Sequence, residues 1–324
     1  MSKRVARTVM LLVSHTPRVP PMAEVHRVDP GQASHHLAQA ATHALNARAA
    51  SDPFIAGDVD VDQLARDFAS AHWPTWAIRN GDTVVSHLYG NLFAAPGESM
   101  TSWTGLDGWS LAEADHLDEL LTHAFGEWRT AGATRHVVWV PCAEASLWAR
   151  RGYAPLSYRA TVERASLRPS PTPGILRRAT LEDIELVIAL DALIDAAQGN
   201  AASGHSGNSA VIRRELVDLI TDPDMTFFVF EVDGVIVGQC ALFEAPELRG
   251  TLPHSLQLSE VAIAAGYQGR GLGRAMVLHA LSVVDDARAT TVDVRYRAIN
   301  RTAEAFWTSM GFRPTVVQME RGFA

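Results

Sequence analysis

LQLSEVAIAAGYQGRGLGRAMVLHAL, residues 256–281, is the stretch that decides the fold of this chain. Leu256 to Ile263 is apolar and β-branched and predicts a strand, while Arg274 to about Asp286 predicts a helix with one apolar side. Tyr267 to Gly273 forms a glycine-rich turn between them. A strand that enters a helix through glycines leaves helix N–H groups facing one small space, which is an anion site suited to phosphate.

The spacing of the glycines separates the possible phosphate ligands. The turn Gln268-Gly269-Arg270-Gly271-Leu272-Gly273 lacks the Gly-Lys-Ser/Thr ending of a nucleotide triphosphate P-loop. It also lacks the GxGxxG order of a dinucleotide-binding turn. It does match Q/R-x-x-G-x-G/A at Gln268, Gly271 and Gly273, and there it resembles the acyl-CoA pyrophosphate loop of the GNAT (GCN5-related) N-acetyltransferases.

Composition and charge exclude several classes of protein. The chain has 324 residues, 47% of them hydrophobic, which is enough for two domains with a sizeable core. A net charge of −8 argues against a general nucleic-acid binder, and no apolar run is long enough to span a membrane. Two cysteines are too few for a disulfide framework, and none of the 13 histidines has metal-ligand spacing. We expect a cytoplasmic monomer or homodimer without metal, membrane or nucleic-acid partners.

A proline-rich segment divides the chain into two parts of similar size. Residues 166–174 contain three prolines within five residues and predict a stiff, extended linker. Residues 1–22 are predicted to be a flexible leader, because their apolar core is short and no cleavage site follows. The sequence therefore predicts one domain at 23–165 and a second at 175–324.

The two parts repeat the same order of elements. Residues 76–96 and 228–246 each predict a hairpin, with an Asn-Gly or Asp-Gly turn. Residues 137–153 and 292–312 each predict an alternating strand and a short helix that ends in Gly plus an aromatic residue. Two matches in the same order indicate a duplicated fold.

The second part also carries the remaining elements of a GNAT domain. The predicted boundaries are a strand at Ile175 to Arg178, helices at Leu181 to about Ala197 and Ser209 to Ile220, and a last strand at Thr315 to Met319. The loop at 199–208 between the helices is the expected lid. With the hairpin and the central stretch, the order is β-α-α-β-β-β-α-β-α-β. The resemblance implies an α+β fold of two tandem GNAT-like domains, each a mixed, mostly antiparallel sheet flanked by helices.

The first part lacks the phosphate loop. Residues 103–110, WTGLDGWS, stand where the loop is expected, and their glycines are out of register with the motif. Asp107 places a negative charge where a phosphate would bind, which is repulsive. We predict a degenerate copy that shapes the substrate cleft instead of binding CoA.

The resemblance implies acetyl-CoA as co-substrate. Backbone N–H groups of the glycine turn would hold its pyrophosphate, because glycines let the backbone approach closely. Asn300 resembles the asparagine that contacts the CoA arm, although it could also serve as the N-cap of the next helix. The expected cofactor-binding residues are Val261, Ala262, Ile263, Gln268, Gly269, Arg270, Gly271, Leu272, Gly273, Arg274 and Asn300.

The resemblance also implies how the amine and the thioester are activated. The Ile263 N–H is the expected donor to the thioester carbonyl. Glu260 has the spacing of a general base, since a carboxylate in an apolar strand must be paired or reach a cleft. A salt-bridged carboxylate without catalytic role is the plainer interpretation. His254 and Glu244 are weaker candidates.

The general acid departs from the family pattern. Many members place a tyrosine where this chain has Trp307, and an indole N–H does not supply a proton near neutral pH. Solvent or Tyr296 would then protonate the departing thiolate, and Trp307 would be packing.

The sequence therefore predicts an acetyl-CoA-dependent N-acetyltransferase in which a primary amine attacks directly in a ternary complex. The acceptor could be a small molecule or a protein. Two alternatives stay open: a CoA-binding regulatory protein without turnover, and a transferase of a longer acyl group.

Overall fold

A ten-stranded sheet runs through both halves of the chain and lies beside a four-stranded sheet. The structure is a computed structural model that describes residues 24–71, 73–94, 99–168, 173–198, 209–246, 249–284 and 288–323. The strands of the N-terminal half are β1 (Val25–Val28), β2 (Thr75–Asn80), β3 (Thr83–Tyr89), β4 (Asn91–Phe93), β5 (Thr101–Thr104), β6 (Trp109–Ser110), β7 (Arg135–Pro141) and β8 (Ala154–Glu163). Its helices are α1 (Pro30–Ser51), α2 (Val61–Ser70), α3 (His116–Thr130) and α4 (Ala145–Ala149).

The C-terminal half follows the predicted order of elements. Its strands are β9 (Ile175–Arg178), β10 (Met225–Val232), β11 (Val235–Glu244), β12 (Leu256–Ile263), β13 (Thr291–Arg297) and β14 (Arg313–Gly322). Its helices are α5 (Ile184–Gln198), α6 (Ser209–Thr221), α7 (Leu272–Val283) and α8 (Arg301–Ser309). Most neighbouring strands are antiparallel, with β12 and β13 a parallel pair. The predicted mixed, mostly antiparallel sheet flanked by helices is confirmed.

The observed boundaries differ from the predicted ones at several ends. Helix α7 begins at Leu272, two residues before the predicted start, and ends at Val283. Helix α5 is preceded by a 3-10 turn, Leu181–Asp183, in which the Thr180 and Asp183 side chains form a capping box. Strand β14 is longer than predicted because it has a partner on both sides. The expected leader, the expected lid at 199–208 and linker residues 169–172 lie outside the described residues.

The two halves exchange their last strands. Strand β8 of the first half pairs with β13 of the second, and β14 of the second pairs with β7 of the first. The exchanged strands also pair with each other, which gives the order β7-β14-β8-β13 at the centre of the ten-stranded sheet. The linker divides the sequence, but each folded unit includes a strand from the other half.

Strand β13 separates an apolar from a polar side of the central sheet. Val292, Val294 and Tyr296 belong to a core cluster with α7 residues such as Met276. Asp293 lies on the opposite side, where it contacts polar side chains of β8. None of the described helices is long and apolar enough to cross a membrane.

Candidate active site

Strands β12 and β13 separate part-way along their length. They pair in parallel only from Leu256 to Leu258. Beyond this point β12 continues to Ile263 and β13 to Arg297 without mutual pairing. A cavity of about 320 Å³ lies in the opening, lined by residues of both strands and of α5 and α8. No sequence pattern marks this opening.

A bulge at Glu260 accompanies the opening. Gln239 of β11 lies opposite Ala262 while Ala241 lies opposite Ser259, so β12 holds one extra residue here. Glu260 has a φ of 51°, a conformation that costs a non-glycine residue roughly 1–2 kcal/mol. Glu260 lines the cavity. A strained, charged residue at the opening is the kind of feature found at functional sites.

The register of β12 with β11 determines where the Ile263 amide points. Ala264 donates its N–H to the Val237 carbonyl at 2.8 Å, so the preceding residue pair, Ile263 with Gly238, is not hydrogen-bonded. The Ile263 N–H therefore points away from β11 and into the opening, as an oxyanion donor requires. By the same alternation the Ala262 N–H points toward β11. Ala262 is 7% exposed and does not line the cavity.

The glycine turn forms a left-handed approach to α7. Gly269 and Gly271 have φ values of 73° and 76°, and a Cβ added at either would meet no atom within 4 Å. The first helical amides belong to Leu272, Gly273 and Arg274. Across the described residues these amides have no hydrogen-bond acceptor. Three N–H groups at a helix start, reached over open glycine surface, match an oxyanion such as a pyrophosphate.

Gln268 fastens the turn to the end of β12. Its side-chain amide donates to the Ile263 carbonyl at 2.8 Å. Its backbone N–H donates to the Ala265 carbonyl at 3.4 Å, so Gln268 positions the turn and the free amides begin after it. The Gln268 N–H is therefore not available to the pyrophosphate, and the amides that could bind it begin at Gly269.

Two arginines add positive charge to the turn. Arg270 donates to the Gly266 carbonyl at 2.8 Å, with its guanidinium 5.3 Å from the Tyr267 ring centre. Arg274 donates to the Ser309 carbonyl at 3.3 Å. Both side chains are exposed, and among the described residues they bond only to neutral carbonyls, so their charges remain available to an anion.

The wall formed by α8 contains the predicted asparagine and tryptophan. The Asn300 Oδ1 accepts the Ala303 N–H at 2.9 Å, so its N-cap role is confirmed, and the residue also lines the cavity. Trp307 is 6% exposed, packs against Phe306 and Phe312 and lines the cavity. Trp307 therefore packs in the core and also lines the cavity.

Tyr296 lies where a proton donor to the thiolate would have to be. It lines the cavity, and burial followed by the charge of Glu304 raises its pKa to about 12. The phenol stays protonated at neutral pH and can donate a hydrogen bond. The weaker candidates His254 and Glu244 bind each other at 2.8 Å at the opposite end of β12 and do not line the cavity.

Sequence reasoning missed the residues that reach the cavity from unexpected directions. Ser157 comes from the N-terminal half through the exchanged strand β8, which no local pattern predicts. Arg295 and Arg297 of β13 also line the cavity. Their alternation with apolar neighbours in the predicted strand could have revealed that both lie on one face.

The equivalent loop of the N-terminal half is closed. After β5 the chain turns back into β6, which pairs with β3, and α3 begins only at His116. Asp107 in this turn is 4% exposed. Its carboxylate accepts from the Tyr89 hydroxyl at 2.9 Å and pairs with Arg249 of the other half at 3.0 Å. The buried Asp107 carboxylate, already paired with Arg249, therefore lies where the motif would bind a phosphate.

Trp109 closes the gap between the strands of that half. Its indole N–H donates to the Trp139 carbonyl of β7 at 3.1 Å. One ring face is covered by the Arg48 guanidinium at 3.8 Å, and the edge packs against Trp148. The space that stays open beside Ile263 is therefore filled by side chains here, as expected for a degenerate copy.

The fold around this site supports acyl transfer in general. Residues 194–312 match the model of the Acetyltransferase (GNAT) family. A search among curated proteins finds no match.

Solved structures extend the likeness to the whole chain. A tandem GNAT protein from the clavulanic acid biosynthesis pathway is 16% identical, with 92% of this chain and 98% of that one covered and a TM-score of 0.51. A GCN5-related N-acetyltransferase from Sphaerobacter thermophilus is 14% identical, with 94% and 96% covered and a TM-score of 0.56. A glucosamine N-acetyltransferase region of a fungal multi-domain β-N-acetylglucosaminidase is 12% identical, with 94% and 38% covered and a TM-score of 0.55. The predicted tandem GNAT fold is confirmed, and this fold supports acyl transfer.

Proposed function

We propose that the chain is an acetyl-CoA-dependent N-acetyltransferase in which a primary amine attacks the thioester directly in a ternary complex. The observation that carries this proposal is the placement of two binding features on one strand–turn–helix unit. The Ile263 N–H points into the opening beside β12, and the free amides of α7 begin across the turn from it. A thioester and a pyrophosphate at the two ends of one ligand would match them.

The cofactor would lie along the opening. The amides from Gly269 to Arg274 would hold its pyrophosphate, with the charges of Arg270 and Arg274 nearby. Val261 and Asn300, which line the cavity, would contact the arm. Acetyl-CoA supplies the activated acetyl group, and the protein supplies its position.

The transfer step needs a base, an oxyanion donor and a proton for the leaving thiolate. The amine nitrogen attacks the thioester carbonyl, and its oxygen gains charge that the Ile263 N–H stabilises. Glu260 first takes one proton from the ammonium group, directly or through water, so that the free amine can attack, and the nitrogen loses its second proton to solvent as the amide forms. As the C–S bond breaks, Tyr296 or solvent protonates the thiolate. The bulge at Glu260 would bring the base and the donor to the same opening.

The test is amine-dependent release of free thiol from acetyl-CoA, with the product mass measured. Glu260→Gln should lower kcat by about 100-fold or more while acetyl-CoA affinity is kept. Glu185→Gln, an exposed carboxylate on α5 paired with Arg213, is the matched control and should not change kcat.

Two outcomes would contradict the proposal. Acetyl-CoA binding without thiol release from any amine would favour the CoA-binding regulatory protein, for which the replacement of the family's tyrosine by Trp307 leaves room. Faster transfer from a longer acyl-CoA than from acetyl-CoA would favour the third alternative. Cytoplasmic location stays a prediction.

A further inference from the structure

Two arginines line the cavity and form no ion pair with a carboxylate of the described residues. Arg295 and Arg297 line it, and neither forms an ion pair or a side-chain hydrogen bond with any part of the chain that the structure describes. Their neighbours Val294 and Tyr296 lie in the core beneath α7, so the two arginines lie on the opposite face of the sheet. This face is separate from the amides at the start of α7.

Asp293, the carboxylate two residues before Arg295 on β13, is already neutralised. Asp293 is 2% exposed and accepts from the guanidinium of Arg159 and, at 2.5 Å, from the hydroxyl of Thr161. Arg159 lies directly opposite Arg295 in the register of β8 and β13. Like charges placed directly opposite repel each other, so an added anion would relieve this arrangement. Burial of its charged group lowers the pKa of Arg295, and the neighbouring Arg159 lowers it further.

The N-terminal half holds Arg295 in place. The Arg295 guanidinium lies 5.0 Å from the ring centre of Trp139 on β7. Such a cation–π contact holds the planar group in one orientation. Ser157 of β8, opposite Arg297 in the register, lines the same cavity. The degenerate half therefore contributes to the acceptor side of the site.

We propose that the amine acceptor carries an acidic group, a carboxylate or a phosphate, that binds Arg295 and Arg297 while its amine lies at Glu260. Guanidinium groups bind both anions through paired N–H donors. The inference rests on the proposed N-acetyltransferase function, because it assigns the acceptor of that same site.

The first experiment compares matched amines. Thiol release is measured for glycine, β-alanine and phosphoethanolamine against glycinamide, β-alaninamide and ethanolamine. The acidic member of at least one pair should have a kcat/KM about tenfold or more above its neutral counterpart. Comparing the carboxylate with the phosphate pairs identifies the acidic group. An equal or higher kcat/KM for every neutral amine would overturn the inference.

Variants of the two arginines test whether they cause the preference for acidic amines. Arg295→Gln should remove the advantage of the acid, leave the neutral amine unchanged and keep the KM for acetyl-CoA. Arg297→Gln should act in the same direction. Arg301→Gln is the matched control, because Arg301 is exposed and already paired with Glu304 outside the cavity. Equal losses for acidic and neutral amines in Arg295→Gln would mean that Arg295 supports the fold and not acceptor recognition.

A binding measurement separates this inference from the proposed function. N-acetylglycine and N-acetylglycinamide, which resemble products, are titrated calorimetrically into the chain saturated with CoA. Tighter binding of the acid that is lost in Arg295→Gln would support the anion site even if no amine released thiol, and only acetyl transfer would then fail. Thiol release together with equal binding of acid and amide would overturn the anion site and leave acetyl transfer standing.

Discussion

Tyr158 of β8 lies directly opposite Tyr296 of β13, with ring centres 5.7 Å apart. This pair joins the last strand of the N-terminal half to the strand that lines the site in the C-terminal half. In return, β14 of the C-terminal half pairs with β7 of the N-terminal half, so each half gives one strand to the other. The two repeated halves therefore form one interlocked structure.

The exchange predicts that neither half folds alone. Chains covering 24–165 and 173–324, expressed separately, would each lack a strand at the centre of the sheet and expose unpaired edges. We expect no cooperative thermal unfolding from either, and recovery of a single transition when both are expressed together. A sharp transition and acetyl-CoA binding by 173–324 alone would contradict the interlocked account.

Glu260→Gly separates stability from activity. Relief of the positive φ should add about 1 kcal/mol, partly offset by chain entropy, so the free energy of unfolding should not fall. The kcat should fall by about 100-fold, because the base is lost. Asp233→Gly, with a φ of 53° in the β10–β11 turn, is the matched control and should change stability similarly at constant kcat. A marked loss of stability in Glu260→Gly relative to that control would make Glu260 a structural residue.

Tyr296→Phe tests the source of the proton. With its pKa raised to about 12, Tyr296 should add no inflection to the pH–rate profile between about pH 6 and 9. If it protonates the thiolate, its replacement should lower kcat by about tenfold or more with an unchanged KM for acetyl-CoA. Tyr158→Phe, the neighbour that does not line the cavity, is the control. An unchanged kcat in Tyr296→Phe assigns the step to solvent.

Two buried histidines predict sensitivity to acid. Burial lowers the pKa of His87 to about 4 and that of His136 to about 3. Between these values and the ordinary value of 6.5 the unfolded chain binds protons that the folded chain does not. Each histidine should therefore reduce the free energy of unfolding by about 1.4 kcal/mol per pH unit as pH falls through this range.

Denaturant titrations at about pH 7, 6 and 5 check this expectation, since the slope follows proton uptake on unfolding. A free energy of unfolding that stays constant across these values would contradict burial of neutral imidazoles.

The local parts of the site were predictable from sequence, and the non-local parts were not. Gly271 sits in a turn whose spacing specifies a left-handed approach to a helix, and Asn300 precedes its helix as an N-cap should. The bulge at Glu260 leaves no trace in the sequence, because it depends on the register with β11. The contribution of Ser157 depends on a strand exchange between segments more than a hundred residues apart, which periodicity does not encode.

The central claim is a single acyl-CoA site at the start of α7, and a calorimetric titration of the full chain with acetyl-CoA tests it most directly. We predict one equivalent bound per chain and no binding to Gly271→Glu, whose carboxylate would enter the space of the pyrophosphate. Gly81→Glu is the matched control, because Gly81 also has a positive φ, 61°, and open space around it, and it should bind normally. Two equivalents per chain, or unchanged affinity in Gly271→Glu, would contradict the account.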